Sequence, residues 1–455
     1  MTGVGPATPV MASRPQKWDV LLICTAVYIL TAVGRLHQLY APVEALKPLI
    51  IFAALGLFSF FADKTASRKL KLLQDPTSKA ARFIIAWATI GVPFGIYHTN
   101  SLFYLREEAY PVAALFLLVA ASVRDLHDVR RLVFVYGGGI VYLALTAMAR
   151  KHGGMRLGSA SYDANDLGMV LVSAISIGIW ALTRAKGFRP KVFAGVSLVV
   201  LAIATVETDS RGAFLGLVAV IGYTLFFLDG VKKSWRVGAA AAVVVFMMYA
   251  ATGSYWNRMR TIFVQEQGQE DYNKTSLTGR IEIWKRGMGY MFTHPIFGIG
   301  VDNFMSMEGR SDIIVERQAR GEGTKWSVAH SSWVQIGAEM GIPGLAALVV
   351  FYFGGLVRLK RLSRMARARA APDLLKEGAA IGGALMGVLI GLMIAGSFIT
   401  QGFGYAVWAG AGLVAGLLKV MNMQGFDTGK KVAINRTARR APVTTESQPT
   451  PGLAR

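Results

Sequence analysis

A single cysteine, Cys24, in 455 residues leaves no disulfide framework and no cysteine-based metal site. Charge is scarce as well: 17% of residues are Asp, Glu, Lys or Arg, against 53% hydrophobic. A soluble globule of that composition would present more apolar surface than water tolerates, so lipid is the expected solvent. No repeat at a solenoid period is visible. The amino-terminal apolar run begins after Arg14 and Lys17 and lacks a convincing small-residue cleavage site, so it reads as an uncleaved first helix.

Apolar stretches recur near 20–34, 45–62, 83–97, 110–123, 132–149, 167–183, 192–206, 213–229, 237–252, 331–357, 378–399 and 402–418. Most approach the ~20 residues of a membrane helix, which predicts an all-α polytopic membrane protein with about twelve spans. Short stretches such as 110–123 and 402–418 leave ten or eleven spans open. The expected organisation is a cytoplasmic tail (1–18), nine spans (19–252), a long outer loop with amphipathic helices (253–330), three spans (331–420) and a disordered cytoplasmic tail (421–455).

Lysine and arginine orient this array, because short basic loops resist translocation. With the amino terminus inside, 32 of the 49 basic residues fall in cytoplasmic segments. The outer segments 35–47, 99–109, 150–166 and 207–212 hold only seven, and the ten in the long loop are offset by nine acids. The formal charge of +22 therefore reads as topology at an anionic lipid surface and not as nucleic-acid binding.

Within the long loop, Ile281, Trp284, Met288 and Met291 recur at helical spacing, predicting an amphipathic helix against the membrane surface. His294-Pro295 ends it, and Gly298-Ile299-Gly300 makes the next turn. Further on, Gly341-Ile342-Pro343-Gly344 predicts a helix break, so His330 starts a short helix at the outer boundary and the span proper follows from Leu345.

Four outer elements carry ionisable residues near helix ends, where such residues are costly unless paired or used. They are Arg156 with Asp163, Asn165 and Asp166; Glu207-Thr-Asp-Ser-Arg211-Gly212; Gly279-Arg280 with Trp284; and His330-Ser331-Ser332. Two arginines could clamp a diphosphate through paired hydrogen bonds at any relevant pH. A histidine could take the proton of a hydroxyl nucleophile. That pattern suggests acyl, phosphoryl or glycosyl transfer onto an alcohol. Plainer readings stand beside it: headgroup snorkelling for Arg211, a surface helix face for Arg280, a polar helix start for His330, and capping of the sixth span for Asp163, Asn165 and Asp166. His37, His98, His127, His152 and His294 are treated as structural, with His98 and His152 facing outward. Asp163, Asn165 and Asp166 imitate an acidic metal site, but no matching second acidic cluster is evident.

The order Ser210-Arg211-Gly212, Gly279-Arg280 with Trp284, Pro295-Ile-Phe-Gly-Ile-Gly300, Ala329-His-Ser-Ser-Trp333 and Glu339-Met-Gly-Ile-Pro-Gly344 resembles the O-antigen ligase and polymerase superfamily, over roughly 156–345. That resemblance implies a metal-independent, inverting glycosyltransferase of the bacterial inner membrane, with no cofactor and an active site facing the periplasm. Its donor would be an undecaprenyl-diphosphate-linked glycan, and its acceptor a hydroxyl of lipid A-core (ligase) or of a second glycan (polymerase). By position, Arg211 and Arg280 match the diphosphate-binding arginines and His330 the base, with Arg156, Asp163, Asn165 and Asp166 as further candidate substrate contacts. The Asp-Ala-Asn-Asp-Leu-Gly segment looks more like relatives that handle exopolysaccharide, which leaves the acceptor open. A transporter is the main non-enzymatic alternative, and a non-catalytic assembly partner is another. Carriers usually show two related halves and charges near the midplane, whereas these spans are nearly free of charge.

Overall fold

The structure, a computed structural model, describes residues 16–151, 155–227, 279–310 and 326–429, with isolated positions between 234 and 259 and between 315 and 321. Among the described residues the secondary structure is helical, without strands. The longer helices are α1 (Val20–Ala32), α2 (Pro48–Ala62), α3 (Pro76–Gly91), α4 (Tyr110–Ser122), α5 (Leu126–Ala149), α6 (Ala164–Arg184), α7 (Phe188–Glu207), α8 (Arg211–Phe227), α9 (Arg280–Thr293), α10 (Ser332–Ala366), α11 (Asp373–Gly396) and α12 (Tyr405–Met423).

Six of these, α5, α6, α7, α10, α11 and α12, are long and apolar enough to cross a membrane. Helices α1, α2 and α8 are apolar but shorter. Most of the expected span at 237–252 and all of 260–278 in the loop lie outside the described residues. Phe58, Phe61, Phe193 and Phe226, on α2, α7 and α8, are each 74–75% exposed, which lipid accommodates and water does not. The chain is a multi-pass membrane protein.

Helix starts follow their capping residues. Asp19, Asp75, Asp125 and Asp163 each accept a backbone N–H of the first turn of α1, α3, α5 and α6. The cap at Asp75, with Pro76 at the first position, starts α3 before the apolar run at 83, because the cap and not hydrophobicity sets the start.

Helix α12 is buried from Tyr405 to Met421 on every face and forms the centre of the bundle. It packs on α4 and α11, and α11 in turn contacts α6, α8 and α10. After α12 the chain does not leave the bundle at once: Arg361 of α10 donates to the carbonyls of Thr428 and Gly429. The rest of the expected disordered tail, from 430, lies outside the described residues.

The break in α10 falls at Gly341 (φ 69°, ψ −169°), a left-handed conformation that glycine adopts without a Cβ clash. A Cβ there would sit 2.5 Å from the Ile296 carbonyl oxygen, so the 295–300 segment docks against the break. Carbonyls freed by the break find donors there and on α3. Ile299 N–H donates to Ala338 O (2.9 Å), Gly300 N–H to Glu339 O (3.0 Å) and Trp87 Nε1 to Met340 O (3.1 Å).

Helix α9 ends at Thr293 and is capped by His294, as the His-Pro step predicts. Its buried face differs from the expected one. Ile283, Gly287 and Tyr290 are buried, while Ile281 and Met288 are exposed. Periodicity of apolar residues misses this because Gly287 carries no side chain to count: a Cβ there would come 2.4 Å from Val334 and 2.9 Å from Phe304. The buried pair Arg286–Glu308, with Tyr290 Oη donating to Glu308 Oε1 (2.8 Å), fixes the same face.

Candidate functional site

The turn between α7 and α8 delivers Arg211 as the first residue of α8. It contains Asp209 at φ 49°, a left-handed position that aspartate tolerates better than most residues. Arg156 braces this turn from across the chain. Its Nε donates to Thr208 O (3.0 Å), and its Nη2 donates to Asn165 Oδ1 (2.9 Å) and Asp209 O (3.4 Å). Leu157 N–H adds a bond to Glu207 O (2.8 Å). Gly168 of α6 lies against Ala213, Thr208 and Ser210. Arg156 and Asn165 are thereby tied to the element that positions Arg211. Asp163 caps α6, accepting from Asn165 N–H (2.7 Å) and Asp166 N–H (2.8 Å).

His330 precedes the cap of α10 at φ 48°. Left-handed backbone at a non-glycine residue costs on the order of 1–3 kcal/mol and persists only where its surroundings enforce it. The enforcing contacts come from the α11–α12 connection. His330 N–H donates to Thr400 Oγ1 (2.9 Å). Ser332 Oγ donates to Ile399 O (2.9 Å) and accepts from Gln401 N–H (3.1 Å), and Trp333 Nε1 donates to Ser397 Oγ (2.9 Å). The Gln401 side chain also lies near Asp166, which brings the α6 start close to the histidine segment.

Arg280 opens α9, and one turn later Trp284 Nε1 donates to Ala329 O (3.0 Å), the residue before His330. The Trp284 ring lies 6.2 Å from that of Phe398, and Phe398 in turn backs the α8 start, where a Cβ on Gly212 would meet its Cβ at 3.2 Å. Phe398 is thus the shared wall between the elements that carry Arg211, Arg280 and His330. All seven candidate residues lie at one end of the bundle: Arg211, Arg280 and His330 at helix starts, Arg156 and Asn165 in the brace, Asp163 in a cap and Asp166 against Gln401.

Several neighbours carry no motif in the sequence. Thr400 and Gln401 are ordinary polar residues whose role appears only when α11 and α12 close on α10. Asp302, at φ 60° after Gly298-Ile-Gly-Val, sits near the buried Glu339, and burial raises its carboxyl above the ordinary value. Arg35, just past α1, carries no motif either, and its neighbours Tyr162 and Tyr405 come from distant parts of the chain. Among the described residues, no group of three or more His, Cys, Asp or Glu is arranged to hold a metal ion. His152 lies outside the described residues.

Residues 196–349 match the family model described as O-antigen ligase. That stretch includes Arg211, Arg280 and His330 and ends before the α11–α12 connection. A 181-residue region is 22% identical to an uncharacterized protein of Haemophilus influenzae (strain ATCC 51907 / DSM 11121 / KW20 / Rd), covering 37% of this chain. The chain spans 45% of that relative's length.

Proposed function

We propose that this chain, a relative of the O-antigen ligase and polymerase superfamily through residues 196–349, is an inner-membrane glycosyltransferase whose site faces the periplasm. The donor is an undecaprenyl-diphosphate-linked glycan and the acceptor a hydroxyl of lipid A-core. The observation that carries this reading is the backbone of His330, held left-handed by Thr400 at the end of the bundle that also bears Arg211 and Arg280.

In the proposed step the acceptor oxygen attacks the anomeric carbon while the bond from that carbon to the diphosphate oxygen breaks. The electron pair leaves with undecaprenyl diphosphate, and the configuration at carbon inverts. His330 takes the hydroxyl proton. Arg211 and Arg280 bind the diphosphate and stabilise the negative charge that grows on it, so the step needs no metal. Arg156 is a positioning residue, because it braces the Asp209 turn ahead of Arg211.

The test is transfer by purified protein from a lipid-linked donor, offered lipid A-core or a second lipid-linked glycan. Glycan on lipid A-core with inverted linkage, at a rate unchanged by chelator, supports the ligase reading. Transfer only to the second glycan moves the protein to the polymerase class, and no transfer to either removes the enzymatic reading. Orientation is tested separately. Ser306→Cys should react with an impermeant thiol reagent in intact spheroplasts and Ser363→Cys should not; the reverse pattern overturns the assignment.

A further inference from the structure

Arg35, just past α1, takes no part in the transfer step. It too is left-handed (φ 53°). Its guanidinium carbon sits 5.0 Å from the ring centroid of Tyr162 and 5.3 Å from that of Tyr405. Cation–π contact of this kind fixes a guanidinium plane without using up its N–H donors. Its Nε is buried and has no hydrogen-bond acceptor.

Arg35 lines a cavity of about 390 Å³ together with Arg150, Lys151 and Arg156 and the hydroxyl-bearing Thr146 and Ser159. That volume lies within the roughly 300–1,000 Å³ usual for small-molecule sites. Four cations border it, and no carboxylate is among its described lining residues. Two acids act at its edge: Glu207 lies 3.7 Å from Lys151, and Glu108 acts on Arg35 from outside the cavity. One wall is shared with the transfer site: Arg156 braces the turn ahead of Arg211. Tyr405, which packs on Arg35, begins α12 directly after the connection that holds His330.

We propose that this cavity is an oxyanion subsite that receives the carboxylate or phosphate substituent of a sugar in the substrate glycan, so that the protein selects acidic glycans. The inference rests on the glycan-transfer reading above. The two tyrosines suit it by holding the guanidinium in place for an acidic group.

The test measures binding, separately from transfer. Full-length protein in phosphatidylcholine nanodiscs is titrated calorimetrically with cellobiouronic acid and with its neutral counterpart, cellobiose. The uronate should bind at least about tenfold more tightly, a difference of roughly 1.4 kcal/mol. Arg35→Gln and, independently, Arg150→Gln should erase that preference, while His330→Ala should keep it. If Arg35→Gln does not fold, Arg150→Gln and Lys151→Met carry the same comparison. Equal affinity for the two sugars, or a preference that survives these substitutions, overturns the subsite. Loss of uronate binding in phosphatidylglycerol nanodiscs would also overturn it, by assigning the cavity to a lipid headgroup. Should transfer fail in every assay while the Arg35-dependent preference holds, the subsite stands and the transfer reading falls.

Discussion

At the end of the bundle that holds Asp19, Arg68 and Arg124, charge is spent on joining helices. Asp19 caps α1 and receives both Arg68 Nη2 and Arg124 Nη1 at 2.7 Å. Arg68 also pairs with Asp63 and donates to Ser122 O, while Arg124 pairs with the fully buried Asp128. Lys419 completes the set by donating to Ala121 O (2.9 Å) and Val123 O (2.8 Å), the carbonyls left open by the end of α4. Among the described residues, none of the left-handed non-glycine positions lies here, and four of the five, Arg35, Asp209, Asp302 and His330, lie instead in the segments that make up the other end, along with the cationic cavity. One end is a clasp of matched ion pairs, and the other stores strain and gathers cations for a ligand. Substitutions should therefore separate into losses of stability at the first end and losses of activity at the second.

The largest expected effect falls on the clasp. Asp128→Asn leaves Arg124 and Arg131 facing a neutral amide in a buried position, which costs about 3–5 kcal/mol. Thermal unfolding in detergent should show that loss, while the fraction that stays folded should transfer glycan at the normal rate. An equal loss of specific activity in the folded fraction would break the distinction between the ends. At the other end, Arg211→Lys and Arg280→Lys keep the charge but lose the paired geometry. Each should lower transfer by roughly 10²-fold, as removal of one charge-stabilising donor does, with the melting temperature unchanged. Steady-state rates together with melting curves check both halves of that statement.

A smaller effect follows from pH. Burial would raise the Asp63 carboxyl, but hydrogen bonds from Thr65 and from Arg68 outweigh it and hold the group down at about 2. A depressed folded-state value means that the contribution is complete above the unfolded value near ~4 and is lost as pH falls toward 2. Wild type should therefore lose more stability than Asp63→Asn between about pH 4 and pH 2. The difference is on the order of 2 kcal/mol, and parallel curves would remove Asp63 from the clasp. The smallest effect expected is about tenfold in rate for Arg156→Gln, since the turn ahead of Arg211 keeps its Leu157 bond to Glu207 O.

Much of this arrangement could be read before any coordinates. Eleven of the twelve apolar stretches coincide with helices among the described residues, because membrane helices announce themselves by composition over a long window. The break at Gly341 and the end of α9 at His294 follow from local chemistry of glycine and proline, so they too were legible. The buried face of α9 was not, since it is built around Gly287, whose lack of a side chain is what lets Val334 approach. The candidate site divides in the same way. Arg211, Arg280 and His330 sit in recognisable motifs, whereas Thr400, Gln401 and Phe398 gain their roles only from the closure of α11 and α12 on α10. Arg35 was invisible for the same reason: its partners Tyr162 and Tyr405 come from distant parts of the chain. Capping by Asp163, one of the two readings the sequence allowed, is the one its hydrogen bonds display.

The account turns on the proton that His330 is proposed to take. The direct measurement is transfer rate and donor affinity, side by side in detergent, for wild type and His330→Ala. Transfer should fall by about 10²–10⁴-fold while the dissociation constant for the undecaprenyl-diphosphate donor and the melting temperature stay within about twofold and a few degrees of wild type. A variant that transfers normally, or one whose main defect is lost donor binding, would contradict the base assigned here.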